Sequence, residues 1–331
     1  MFKYFKIFIF LFALILSSSA NAKPVPPGAG DGDVAANILF LVDSSASMGR
    51  WIGGDGLGKA RGVTYDADGR ILITQNLRRA RYGLVRYLAN GTRDTSFPGG
   101  GLSRVPSTGC SHSNAAITSG WGANARILKS ATVKFLEGLS STDSINGTSF
   151  TDENVIIVNS RDRRQGTQRF VFGLSEDLSR CLFVLSSNEI GSPINYDFDV
   201  KTIGGTPYIF MTFVQGGRRG SQGSFKSCNL ETMECEETNI NDRNDILRNH
   251  TRISVNNEGT IAYINDSRTG DVVGHALTPS GPAFALGAET RRCTAVNSPI
   301  LTSQVMWATG VEVSPDNSNI CLLYTSPSPR D

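Results

Sequence analysis

The stretch Gly62-Val-Thr-Tyr-Asp-Ala-Asp-Gly-Arg-Ile-Leu-Ile-Thr-Gln75 reads as two short β runs joined by a turn at Asp66 to Gly69. β-Branched and aromatic residues fill the runs, while Asp and Gly supply the local hydrogen bonding and backbone freedom of a tight turn. A third run, Tyr82 to Leu88, alternates in polarity and stops at Ala89-Asn90-Gly91. Consecutive short strands with brief polar turns predict a small all-β unit over this part of the chain.

Within that unit, Leu84-Val-Arg-Tyr-Leu-Ala-Asn-Gly-Thr-Arg-Asp-Thr-Ser-Phe97 resembles the delta-60 repeat of bacterial β-propellers, matching at Leu84, Arg86, Tyr87, Gly91, Asp94 and Phe97. The resemblance covers about one blade, Gly62 to Gly100. It implies that the aromatic residue and the Asp pack the blade and do not hold a ligand.

Later segments echo the phrase: Phe172 to Leu185 and Ile253 to Ile264 as strand, turn, strand, and Gly310-Val-Glu-Val-Ser-Pro-Asp-Asn-Ser318 as a β run and a polar turn. Their spacing is uneven, so the expected fold is a divergent propeller with insertions and no deducible blade count. Gly216 to Gly223, rich in Gly and Arg, reads as a solvated hairpin tip.

Near the amino terminus the text is different. In Asn37-Ile-Leu-Phe-Leu-Val-Asp-Ser-Ser-Ala-Ser-Met-Gly49, an apolar run from Ile38 to Val42 ends at Asp43, with Ser45 and Ser47 following at a spacing of two. That is a strand buried on both faces, ending in a carboxylate and two hydroxyls that an extended turn can aim at one point. Hard cations such as Mg2+ or Ca2+ take oxygen ligands of this kind, and open α/β sheets bind ligands beyond the carboxyl ends of their strands. The pattern resembles the metal-ion-dependent adhesion site of bacterial von Willebrand factor A domains. The resemblance implies Asp43, Ser45 and Ser47 as metal ligands, together with a Thr and an Asp from later loops that this chain does not identify.

Between Asn124 and Leu139, Leu128, Ala131, Phe135 and Leu139 recur in steps of three and four, with Lys129, Lys134 and Glu137 between them. This predicts an amphipathic helix. Its text also resembles the first helix of a von Willebrand A domain. The helix would belong either to such a domain, interrupted by a β insertion, or to the decoration of a propeller. The expected fold class is therefore mainly β, with divergent propeller-like blades combined with a partial α/β von Willebrand A-like element.

Met1 to Ala22 carries Lys3 and Lys6, an apolar run from Ile7 to Leu16, and small residues at Ala20 and Ala22, the pattern of an export signal. No other stretch reaches the roughly 20 apolar residues of a membrane span. At the other end, Cys321 to Asp331 resembles the translation of a transposase adapter from sequencing libraries. The expectation drawn from it is that the natural chain is longer and that these residues belong to no fold. In order, the chain reads as signal (1–22), Pro/Gly linker (23–36), A-like first strand and metal loop (37–61), blade-like insertion (62–105), helix-containing segment (106–145), propeller-like region (146–320) and tail (321–331).

The formal net charge of +2 arises from 32 basic and 30 acidic residues, which implies no polyelectrolyte partner such as nucleic acid. Charged residues make up only 19%, and Gly numbers 35, a balance that favours a turn-rich β protein. In an exported protein the six cysteines are disulfide candidates, and Cys228 and Cys235, flanking a short polar segment, are the pair to expect across a hairpin. Cys110, Cys181 and Cys293 have no deducible pairing. His112, His250 and His275 show no zinc spacing, and the chain has no nucleophile elbow, Walker loop or dinucleotide fingerprint.

These readings converge on an exported binding protein, periplasmic, cell-surface or extracellular and not an enzyme. A divalent ion on Asp43, Ser45 and Ser47 would engage an acidic group of a protein or surface glycan, in adhesion or pilus assembly. The alternative is a secreted propeller that works as a calcium-dependent hydrolase or lactonase, or as a metal-free scaffold. For the calcium site, Asp66, Asp177, Glu258 and Asp316 are the nominal ligands, although each also suits a hydrogen-bonded turn.

Overall fold

The computed structural model describes residues 60–66, 68–77, 81–97, 133–161, 169–186, 197–215, 222–240, 252–265, 272–293, 307–313 and 320–325. All of them are strands and turns. The first sheet joins β1 (Ala60–Tyr65), β2 (Ile71–Leu77) and β3 (Arg81–Tyr87) in sequence order. The second sheet contains β4 (Val133–Leu139). A small hairpin of β5 (Ser144–Ile145) and β6 (Thr148–Ser149) follows, and the sheet then continues through β7 (Glu153–Arg161), β8 (Arg169–Ser175) and β9 (Cys181–Ser186).

A third sheet joins β10 (Asp197–Ile203), β11 (Thr206–Gln215), β12 (Gln222–Asn229) and β13 (Cys235–Ile240). The fourth joins β14 (Arg252–Val255), β15 (Ile261–Asn265), β16 (Val272–Ser280) and β17 (Ala283–Cys293). A two-stranded sheet, β18 (Trp307–Val313) with β19 (Ile320–Thr325), completes the set. Every strand pair is antiparallel, and the sheets are simple meanders.

The first strands of these sheets touch in a closed ring: β1 with β4, β4 with β10, β10 with β14, β14 with β18, and β18 with β1. This is the arrangement of a β-propeller, with four blade sheets of three or four strands and the short β18–β19 sheet closing the circle.

Blade-to-blade packing follows from the period-two alternation of strands buried on both faces. In β7, Val155 and Ile157 join the cluster of Phe183, Phe198 and Ile209 toward the third sheet. The intervening Ile156 and Val158 join Leu72, Leu84 and Phe97 toward the first. Phe210, Phe225, Ile253 and Phe284 fill the space between the third and fourth sheets. Truncating one of these fully buried aromatics to Ala costs about 3–5 kcal/mol in comparable cores.

The segment from Gly62 folds as a blade, and its repeat-like residues form one local unit. Arg86 donates through Nε to Asp94 at 2.8 Å and stacks 4.6 Å over the ring of Phe97. The Asp94 amide returns a bond to the Arg86 carbonyl, and Leu84 and Phe97 are buried beside them. Gly69, at φ +70°, closes the β1–β2 turn where the left-handed region suits glycine. Cys228 and Cys235 face each other across β12 and β13 and are disulfide-bonded, with Cα atoms 4.0 Å apart. Cys181 is disulfide-bonded as well, to a cysteine whose side chain lies outside those described.

The helix expected over 124–139 is corrected. Val133 to Leu139 is strand β4, and residues 124–132 lie outside those described. A bulge between Leu136 and Leu139, with Gly138 at φ +62°, inserts extra backbone, so two residues three apart both face the core. Phe135 and Leu139, four positions apart and suited to a helical stripe, pack on different clusters. No helix and no von Willebrand A-like element occurs among the described residues. Within the stretch read as a tail, Cys321–Thr325 pairs with β18.

Candidate functional site

One three-residue phrase recurs at the centre of the ring. Val63-Thr64-Tyr65, Val133-Lys134-Phe135, Phe198-Asp199-Val200, Ile253-Ser254-Val255 and Val311-Glu312-Val313 each lie on the first strand of a different sheet. In each, the two apolar residues enter one hydrophobic cluster, a different one for every phrase. The polar residue between them points the other way, as strand alternation requires. The fold thus delivers five polar side chains toward its axis.

These side chains are bonded in series. Thr64 Oγ1 donates to Glu312 Oε1 at 3.2 Å, and Glu312 Oε2 accepts from Lys134 Nζ. Lys134 Nζ also lies 3.4 Å from Asp199 Oδ1. Asp199 Oδ2 accepts from Ser254 Oγ at 3.3 Å and from the Val255 amide at 2.6 Å, and the Val313 amide donates to Ser254 Oγ at 3.1 Å. Two residues along β10, Asp197 pairs with Arg252 at 3.4 Å and accepts from the Ile253 amide.

Lys134, Asp199 and Glu312 are 3%, 1% and 4% exposed, so their charges act on one another with little water between them. Two carboxylates share one ammonium, and they do not share it equally. Burial works against ionised Asp199, but the charges of Lys134 and Lys201 and the amides of Val255 and Val200 hold its pKa below the usual carboxylate value. Glu312 is pushed up, first by burial and then by the charge of Asp199, against the pull of Lys134. Burial disfavours the Lys134 ammonium, yet Asp199, Glu312 and Asp197 together raise its pKa. The cluster therefore consists of a firm cation, a firm anion and a carboxyl biased toward keeping its proton.

A cavity of about 240 Å³ opens beside this cluster. Asp199 and Glu312 line it together with Thr64, Tyr65, Phe135, Glu137, Lys201, Thr202 and Asn257. Glu137, next to the β4 bulge, has its pKa raised by burial and by the charges of Asp66 and Asp68, with Lys201 opposing. Two carboxyls biased toward the acid form and one held ionised, in a single cavity, are the raw material of acid–base chemistry.

Sequence reasoning chose other residues. Asp43, Ser45 and Ser47 lie outside the described residues. Asp66 serves its turn, accepting from the amides of Asp68 and Arg70. Asp177 accepts from Ser175 and Ser179 in the β8–β9 turn, and Glu258 accepts from Asn256 in the β14–β15 turn. Asp316 lies outside the described residues. The three described acids do not meet at the axis, and no group of three or more His, Cys, Asp or Glu able to hold a metal exists among the described residues. The axial acids Asp199 and Glu312 are bridged by the Lys134 ammonium. The signal that was missed is the phrase itself, one polar residue between two core-forming ones on a strand buried on both faces.

No family model matches the chain, and no curated protein does. Solved structures do show likeness of fold. The hydrazine synthase of Kuenenia stuttgartiensis aligns at 8% identity and a TM-score of 0.42, covering 82% of this chain and 73% of that one. A protein assigned as a 6-phosphogluconolactonase from Bacteroides uniformis aligns at 14% identity and a TM-score of 0.38, covering 80% of this chain and 64% of its own. An α-L-arabinofuranosidase from Clostridium thermocellum aligns at 10% identity and a TM-score of 0.38, covering 71% and 72%. These similar structures carry the names of enzymes, so they lend no support to the expectation that the chain is not an enzyme. At such identities the likeness concerns the fold.

Proposed function

We propose that this chain is an exported β-propeller hydrolase acting in the axial cavity. The observation that carries the reading is the split of the cavity's carboxyls: Glu312 and Glu137 biased toward protonation, Asp199 held ionised, with Lys134 anchoring two of the three. Environments that push like groups apart in pKa equip one site with an acid and a base.

In the proposed reaction Glu137, on the more open side of the lining and made a stronger base by its raised pKa once it is ionised, takes a proton from water as the water oxygen bonds to the electrophilic carbon. The bond from that carbon to the leaving oxygen breaks, and Glu312 gives its proton to that oxygen. Lys134 and Asp199 are positioning residues that set the protonation of Glu312. The Cys228–Cys235 disulfide supports an oxidising compartment, as does the signal-like amino-terminal text. Metal-dependent adhesion through Asp43, Ser45 and Ser47, with Mg2+ or Ca2+, rests on the sequence motif alone.

The test is hydrolysis of chromogenic esters, lactones and glycosides by the full chain. Glu312→Gln should lower turnover about 10²- to 10⁴-fold while leaving substrate binding intact. A wild-type rate in both Glu312→Gln and Glu137→Gln, or no hydrolysis across the panel, overturns the reading.

A further inference from the structure

Part of the cavity lining has no role in the proton transfers. Lys201 and Thr202 follow Asp199 on β10, and Lys201 Nζ donates to Asn257 Oδ1 at 3.1 Å. Thr202 lines the same cavity, and its Oγ1 is buried with no hydrogen-bond partner among the described residues. Buried hydroxyls are almost always bonded, so an orphan beside a cavity marks a place where something else completes the bond.

We propose that Lys201, Thr202 and Asn257 form a subsite for an uncharged polyhydroxylated ligand, a sugar or sugar-like polyol, with one ligand hydroxyl completing Thr202. The inference rests on reading the cavity as a site of hydrolysis and names its substrate class. Charge selects the class. Lys134 and Lys201 balance the ionisable carboxylates of the lining while Glu312 keeps its proton, so no spare charge is on offer and an ionic ligand would be desolvated without a counter-charge. A cation would have to compete with Lys134, which Asp199 and Glu312 already hold, and with Lys201. A neutral polyol matches a lining of interspersed donors and acceptors, since each of its hydroxyls both donates and accepts. Tyr65 and Phe135 supply apolar surface for its C–H faces.

The test is calorimetric titration of the full chain with D-glucose, D-xylose and myo-inositol, with D-glucuronate as the anionic counterpart. Wild-type protein should bind at least one neutral polyol and bind glucuronate more weakly than glucose. Thr202→Val, which keeps the shape and removes the hydroxyl, should weaken polyol binding roughly tenfold or more, and Thr202→Ser should restore most of it. Unchanged affinity in Thr202→Val, tighter binding of glucuronate than of glucose, or no binding of any neutral polyol overturns the proposal. The two readings fail separately. Loss of binding in Thr202→Val with no turnover on any substrate keeps the subsite and removes the hydrolase. Turnover that depends on Glu312 with Thr202→Val unaffected does the reverse.

Discussion

Two charged networks hold this propeller, and they are built on opposite plans. At the rim, Glu176 accepts from Arg70 at 2.6 Å, from Arg86 at 3.1 Å and from Asn154 at 3.0 Å, joining the first and second sheets. Arg70 and Arg86 are further served by Asp66, Asp68 and Asp94, so cations and anions are well supplied with partners. Arg70 and Glu176 are 21% and 30% exposed, and water screens them. At the axis one ammonium serves two carboxylates in near-complete burial. The rim network ties two blades together at low electrostatic cost. The axial one leaves a carboxyl under strain, and that imbalance is what makes it a candidate for chemistry.

The largest test of this contrast is Lys134→Met, which strands two buried acids. Unfolding free energy from urea denaturation should fall by about 3–5 kcal/mol, the usual cost of breaking a buried pair from one side. A loss under about 1 kcal/mol would show that the axial charges are better solvated than their burial implies. At the rim, Glu176→Ala should cost only about 1 kcal/mol by the same assay, because Arg70 and Arg86 keep other carboxylates.

The subtlest test is pH. Asp94 is held at about 2, below the usual value, by the Ser96 hydroxyl first, against its partial burial, and by Arg86. A carboxyl depressed in the folded state binds protons more tightly when unfolded, so its stabilisation is present above the unfolded value and is lost as pH falls toward 2. Asp94→Asn should flatten that acid limb of the stability curve. Glu312 is shifted the other way, so its contribution is complete below the unfolded glutamate value and declines as pH rises through the folded one. Glu312→Gln should remove that decline, and parallel stability curves for wild type and both variants would contradict the contrast.

Much of the rim was legible in the residues. The Arg86, Asp94 and Phe97 pattern is local, its members a few positions apart, so one stretch contains the whole interaction. The Cys228–Cys235 pairing was readable for the same reason, as were the turns around Asp66 and Asp177. Strand β4 was misread because Phe135 and Leu139, four positions apart, suit a helical stripe, whereas in the bulged strand they pack on different clusters. The polar side chains of the axis were overlooked individually. Thr64 and Glu312, bonded at the centre, are 248 positions apart, and no window spans both.

What the sequence determined unaided is the kind of unit from which this protein is built: short strands, turn chemistry, a repeat-like blade and a hairpin disulfide. Those features depend on period-two patterning and on contacts between near neighbours, which the order of residues encodes directly. Which polar residues meet was decided by closure of the ring. Only when β18 returns beside β1 and β14 do Thr64, Lys134, Asp199, Ser254 and Glu312 share one low-dielectric space, and only there does a shared ammonium split two carboxyls into an anion and an acid.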